Sequence, residues 1–146
     1  AAVTPPASSS RHQRTRNDHA SEIAEDYCEA IAEIGSGDDG CRVTDLAERF
    51  GVSHVTVVRT IKRLERDGLV EKAPRKPIHL TPRGRRLAAA CLERHQVVYR
   101  FLIALGVDPR VASVDTEGIE HHVSPSTLAR FRDFADRDPV SSDRPG

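Results

Sequence analysis

Residues 43–81 read VTDLAERFGVSHVTVVRTIKRLERDGLVEKAPRKPIHLT, and this stretch decides the fold. Val43, Leu46, Ala47 and Phe50 recur at helical spacing, which predicts a short helix over Val43–Phe50. Gly51-Val52-Ser53 then breaks the pattern as a turn. A second helix is predicted from His54 to Asp67, with Val55, Val58, Ile61 and Leu64 inward. Gly68 ends it, and Leu69-Val70-Glu71 and Ile78-His79-Leu80-Thr81 alternate like two short strands around the loop Ala73-Pro74-Arg75-Lys76-Pro77. A short helix, a glycine turn, a helix with a basic outer face and a basic hairpin together make a winged helix-turn-helix.

Charge supports a polyanion as the partner of this region. The 146-residue chain carries 22 basic and 22 acidic side chains, but residues 42–94 hold 13 basic and 6 acidic ones. The flanks are acidic: residues 1–41 hold 3 basic and 8 acidic side chains, and residues 95–146 hold 6 and 8. A basic middle between acidic ends suits DNA, whereas a helix pair used only for packing, or a winged helix used for protein contacts, gives no reason for it. Ser53, His54, Thr56, Arg59 and Arg63 are expected to face outward. Ser53, His54, Thr56 and Arg59 lie nearest the helix start, where side chains reach base edges. Lys62, Arg63, Arg75 and Lys76 are expected on phosphates.

Outward from this core, Ser21 caps a first helix on which Ile23, Tyr27, Ala30, Ile31 and Ile34 repeat, ending at the turn 35–40. Residues 1–20 are expected to be a disordered basic arm, and residues 138–146 a flexible tail. A long helix is predicted over residues 82–105. It is apolar on more sides than one surface requires, so burial against the first helix and a second copy of the chain would account for it. Asp108-Pro109 opens a helix through Val123, and Ser124-Pro125 another through Ala135. The expected domains are a winged helix over 21–85 and a helical domain over 86–137, so the fold class is mainly α. No apolar run approaches a membrane span and no signal-peptide core is present, which points to the cytoplasm and against a membrane partner. Cys28, Cys41 and Cys91 form neither a disulfide framework nor a cysteine zinc motif.

Three helices carry candidate metal ligands. Glu117, Glu120 and His121 stand at i, i+3 and i+4, so a single helix would project all three from one face. Such a set can bind a divalent cation, or can be a solvated polar face. Asp26 and Glu29 form an i, i+3 pair beside the apolar stripe of the first helix. His95, alone in the long apolar helix, suits a hydrogen-bonded core residue as well as a ligand. Carboxylates that repel one another are costly to gather without cations between them.

The winged helix, Glu93-Arg94-His95 and the run Glu117-Gly118-Ile119-Glu120-His121-His122 closely resemble the manganese-transport-regulator branch of the diphtheria-toxin-repressor family. The resemblance covers about residues 22–134. It implies a homodimeric, metal-responsive regulator that binds double-stranded operator DNA and represses manganese uptake genes. It further implies a binuclear site with two Mn2+ ions per subunit, held by Asp26, Glu29, His95, Glu117, Glu120 and His121, with Glu29 and Glu120 as bridges. Fe2+, Co2+, Cd2+ or Zn2+ would compete in vitro. The iron-responsive relatives carry Cys at position 117 and Met near 26; oxygen donors at both positions suit Mn2+. Those relatives often have an SH3-like domain, for which the tail here is too short. A metal would fix the angle between reading head and dimer core, holding two recognition helices at major-groove spacing. The alternatives are an Fe2+-responsive regulator of the same fold and, more remotely, a di-metal carboxylate enzyme. The paired Glu-x-x-His motifs of di-iron bundles are missing, which disfavours the enzyme.

Overall fold

The structure is a computed structural model that describes residues 8–137, and only the backbone of residues 8–15, 17 and 18. It contains helices α1 (Ser8–Gly35), α2 (Val43–Phe50), α3 (His54–Arg66), α4 (Pro82–Ala104), α5 (Pro109–Ile119) and α6 (Pro125–Arg137), with strands β1 (Val70–Glu71) and β2 (His79–Leu80) between α3 and α4. The chain divides into two compact units between Ala88 and Ala89. Among the described residues no helix is long and apolar enough to cross a membrane.

In the first unit, α2 and α3 form the helix-turn-helix. Gly51 caps α2 at φ 63 and ψ 36, a left-handed conformation that glycine adopts without a Cβ penalty. Ser53 caps α3 by accepting the Thr56 N–H at 3.2 Å. Arg42 donates its backbone N–H to the Asp45 carboxylate at 2.8 Å, starting α2. The core gathers Tyr27, Cys28, Ala30 and Ile31 of α1, Leu46 and Ala47 of α2, and Val57, Ile61 and Leu64 of α3. Tyr27 stacks on Phe50 at a 4.6 Å centroid separation.

The wing is an antiparallel ribbon in which Val70 pairs with Leu80 and Glu71 with His79. A bridge from Cys41 to Ile78 ties it to the segment before α2. Residues 73–76 make its tip, where the Lys76 N–H meets the Ala73 carbonyl at 3.1 Å. Thr81 starts α4 by accepting the Gly84 N–H at 3.1 Å. A Cβ on Gly84 would stand 2.1 Å from the Leu69 carbonyl oxygen, so only glycine lets α4 approach the first strand this closely.

In the second unit, Val98, Leu102 and Ala112 are the buried centre, surrounded by Tyr99, Phe101, Ile119, Val123, Leu128 and Phe131. Phe101 stacks on Phe131 at 3.9 Å, and Arg132 pairs with Glu93 at 2.8 Å, so rings and ions both join α4 to α6. Asp108 and Ser124 cap α5 and α6 through the N–H groups of Arg110 and Thr127.

Several sequence expectations change. The first helix begins at Ser8, not Ser21, because no Pro or Gly interrupts it between Ser8 and Ile34. The expected arm therefore continues the helix backbone over 8–20, while residues 1–7 and the expected tail 138–146 lie outside the described residues. The strands shorten to two residues each. The long helix stops at Ala104, and α6 runs two residues beyond Ala135 to Arg137. The α5 helix ends at Ile119 rather than Val123. There the His122 N–H turns to the Ile119 carbonyl three residues back, tightening the chain before Pro125.

On α3 the inward stripe is Val57, Ile61 and Leu64, and Val55 and Val58 are exposed. A helix turns by about 100° per residue, which sets Val55 roughly 160° around α3 from Val57. The expected stripe of Val55, Val58 and Ile61 advances by threes and drifts around the helix. The observed spacing of four then three holds one face.

Candidate metal centre and DNA-facing surface

The inward stripe of α5 is Ala112 and Thr116, both fully buried, and the next position along it is Glu120. A carboxylate thus occupies a place that packing would otherwise give to an apolar side chain. Its side chain is 1% exposed and its Oε2 lies 2.9 Å from Nδ1 of His95, on the second half of α4. His121 sets its Nε2 3.5 Å from the other Glu120 oxygen, and its own side chain is 6% exposed. Glu117, one turn earlier, brings Oε1 to 4.0 Å from the same His95 nitrogen while remaining 68% exposed. One ligand atom each from His95, Glu117 and Glu120 falls within 4.8 Å of the others.

This donor set has the chemistry of a divalent-cation site. Burying a carboxylate is expensive unless a partner compensates it. One imidazole and two carboxylates at this spacing, with a second imidazole against Glu120, give a cation mixed nitrogen and oxygen donors, a set that suits Mn2+ and Fe2+ and lacks the thiolates that softer ions prefer. The residues present therefore fit a divalent metal.

Of the six expected ligands, the structure brings together His95, Glu117 and Glu120, with His121 against Glu120. Asp26 and Glu29 stand on α1 in the first unit, three residues apart and half-buried, alternating with the buried Tyr27, Cys28 and Ala30. The three C-terminal ligands do not share one helix face as expected. Glu120 is the C-cap of α5 and His121 lies past it. Glu120 nonetheless keeps helical angles, φ −58 and ψ −31, with its N–H on the Thr116 carbonyl, so the i, i+3 relation to Glu117 survives.

Cys28, Cys41 and Cys91 are buried, and none of them forms a disulfide among the described residues. Burial, with the Glu25 charge adding to it, pushes the Cys28 thiol from 9.0 up to about 11. Burial and the Asp45 charge, opposed by Arg49, take Cys41 to about 11. Buried thiols with raised pKa values pack as small apolar groups.

Ser53 and His54 at the start of α3 and Thr56, Arg59 and Lys62 along it are exposed, as are Arg75 and Lys76 at the wing tip. Arg63 is half-buried, with its Nη2 atom out of solvent, so it differs from the outward position expected of it. The hydroxyls of Ser53 and Thr56 bond to each other at 3.0 Å. Sequence reasoning missed Val55 and Val58 on this surface. The signal was present in the Val57–Ile61–Leu64 spacing.

Comparisons with known proteins agree with this architecture. The family described as iron dependent repressor, metal binding and dimerisation domain matches residues 81–144, and the MarR family matches residues 27–77. Among solved structures, a manganese-dependent transcriptional repressor in complex with manganese is 34% identical, with a TM-score of 0.67. That match covers 77% of this chain and 52% of the repressor, so the chain spans about half the length of that solved regulator. The transcriptional regulator MntR of Salmonella typhi is 40% identical over 131 residues, 90% of this chain and 83% of that protein. The transcriptional regulator MntR of Escherichia coli O157:H7 is 42% identical over 125 residues, 86% of this chain and 81% of that protein. At this identity across most of both chains, the chain belongs to the MntR family of transcriptional regulators.

Proposed function

We propose that this regulator is activated by Mn2+ and, when loaded, binds operator DNA as a homodimer to repress manganese uptake genes. Its family consists of transcriptional regulators, so the chain is not an enzyme. The observation that carries the metal reading is the convergence of His95, Glu117 and Glu120 around one point, with the Glu120 carboxylate buried. His121 beside Glu120, and the half-buried Asp26 and Glu29, complete a six-residue ligand set for two ions per subunit. A bound cation would supply the positive charge that the gathered carboxylates lack. Glu120, fixed by burial and by His95, presents a preset oxygen donor. Glu117 is free to close from solvent.

Mn2+ binds most weakly of the divalent first-row ions, so selection must come from coordination number and hard oxygen donors. The DNA contacts are proposed for Ser53, His54, Thr56, Arg59, Lys62 and Arg63 on α3, and for Arg75 and Lys76 at the wing tip. A regulator that binds DNA acts in the cytoplasm. The cation named in the solved repressor complex supports manganese over iron.

The test is anisotropy of a labelled fragment from upstream of a manganese transporter gene of the source organism, with chelator, Mn2+, anaerobic Fe2+ or Zn2+. Tight binding with Mn2+ that chelator abolishes is the expected result. Activation by Fe2+ alone would transfer the function to iron. Equal binding in chelator would remove the metal switch.

A further inference from the structure

Among the described residues, Arg75 is the one residue other than glycine that takes a positive φ, at 63°. It stands third in the turn Ala73-Pro74-Arg75-Lys76, which the Lys76 N–H closes on the Ala73 carbonyl at 3.1 Å. Proline second and a positive φ third are the marks of a type II turn, whose third place glycine fills without strain. The arginine there is exposed and is held against its backbone preference. It makes no hydrogen bond or ion pair with the other described residues that would offset the strain.

The tip that carries Arg75 is narrow and fixed. Lys72 donates from Nζ to the same Ala73 carbonyl at 2.8 Å, so its ammonium holds the turn. At the base of the wing the Ile78 N–H meets the Cys41 carbonyl at 2.7 Å. Pro77 packs on Gly40 so closely that a Cβ there would stand 2.8 Å from the proline Cβ. Pro74 and Pro77 fix φ on either side of Arg75-Lys76. A phosphate contact asks only for a positive charge, which a flexible lysine supplies. A guanidinium set rigidly at the end of a hairpin suits a site of defined width. B-DNA offers one beside the major groove: the minor groove, about 6 Å wide, which narrows along A·T runs and there concentrates negative potential. A guanidinium is more weakly hydrated than an ammonium, so it enters such a groove at lower desolvation cost.

We infer that Arg75 enters the minor groove next to the major groove that α3 occupies, and makes the regulator prefer operators whose minor groove is narrow there. Sequence preference is then set at base pairs that α3 does not touch. The inference rests on the DNA-binding function proposed above and goes beyond it by giving the wing tip a shape-reading role in place of a phosphate contact.

The full-length, Mn2+-loaded protein would first be used to select a high-affinity duplex from a random library. Each adenine of that duplex would then be replaced singly by 2,6-diaminopurine, which keeps the major-groove edge of adenine but adds an amino group in the minor groove. The expected result is a run of adjacent A·T positions in each half-site that lose roughly fivefold in affinity, the low end of the cost of one wrong base pair, with the others unchanged. Arg75→Gly should bind more weakly and show no penalty at those positions. Glycine adopts φ 63 without a Cβ penalty, so this variant folds. Arg75→Lys keeps the charge, and should keep the salt slope of log Kd while losing most of the penalty. Uniform tolerance of diaminopurine by the wild type, a penalty unchanged in Arg75→Gly, or one fully retained in Arg75→Lys would overturn the inference while leaving the regulator intact. Selection of no duplex with Mn2+ would overturn both.

Discussion

Replacing Glu120 by glutamine separates the metal site from the fold that carries it. The change keeps shape and leaves an amide within reach of His95, where the carboxylate now sits at 2.9 Å, but removes one buried negative charge. Glu117 and Glu120 offer ligand oxygens no more than 4.8 Å apart. Two unit charges at that distance repel by about 3.5 kcal/mol at an effective dielectric of about 20, and by about 1 kcal/mol at about 80. Because Glu117 is 68% exposed, the lower figure applies. Glu120→Gln should therefore raise the melting temperature of the metal-free protein by about 3 °C. The response to metal should move the opposite way. At 100 times Kd a ligand stabilises the native state by about 2.7 kcal/mol, which would lift the wild-type Tm by about 5–10 °C and the variant hardly at all. Thermal denaturation in chelator and across a Mn2+ titration reads both effects. An unchanged Mn2+-induced shift in Glu120→Gln would refute the site. A metal-free variant melting well below wild type would show that the charged carboxylate stabilises the fold.

Three other outcomes follow from the same structure. Gly84→Ala should cost on the order of 3 kcal/mol in urea unfolding because its Cβ meets the Leu69 carbonyl at 2.1 Å, whereas Gly51→Ala, with open space but φ 63, should cost about 1 kcal/mol. Cys28 has its pKa raised from 9.0 to about 11 in the fold, so the unfolded chain loses this proton first. Stability should hold below pH 9 and fall by on the order of 2 kcal/mol as pH rises through 11, and Cys28→Ala should flatten that loss in alkaline melts. Lys62→Ala should weaken binding to every duplex alike and reduce the salt slope of log Kd by about 0.9, whereas a base-reading role would leave the slope intact and relax sequence preference.

The helix-turn-helix was legible because local chemistry enforces it. Gly51 supplies the left-handed turn and Ser53 the cap, and both signals are confined to a few residues. The proximity of Glu117 to Glu120 was legible for a similar reason, since they are three residues apart and the backbone stays helical through Glu120. What sequence spacing could not settle was choice among competing faces. On α3, valines at 55, 57 and 58 offer two apolar stripes, and only packing in the core with Leu46 and Ala47 selects the one through Val57. The start of α1 was missed for the converse reason. Polarity in 8–20 argues against a core contact, but a helix continuing from an anchored segment needs none.

The uneven burial of the donors carries an argument about selectivity. Glu120 and His121 are nearly sealed from solvent, His95 is 30% exposed and Glu117 is 68% exposed. The desolvation cost of the buried donors belongs to folding and is the same for every cation. An exposed carboxylate keeps more rotamer freedom in the fold than a buried one, so more of the entropy cost of fixing it would fall on cation binding. A cation satisfied by a few donors gains little by recruiting Glu117. One that favours a high coordination number and oxygen ligands gains more, which is the kind of discrimination open to the weakest binder of the divalent series. A site with this gradient, from a buried nitrogen–carboxylate pair to a solvent-exposed carboxylate, would favour a cation that gains from added oxygen donors over one satisfied by fewer.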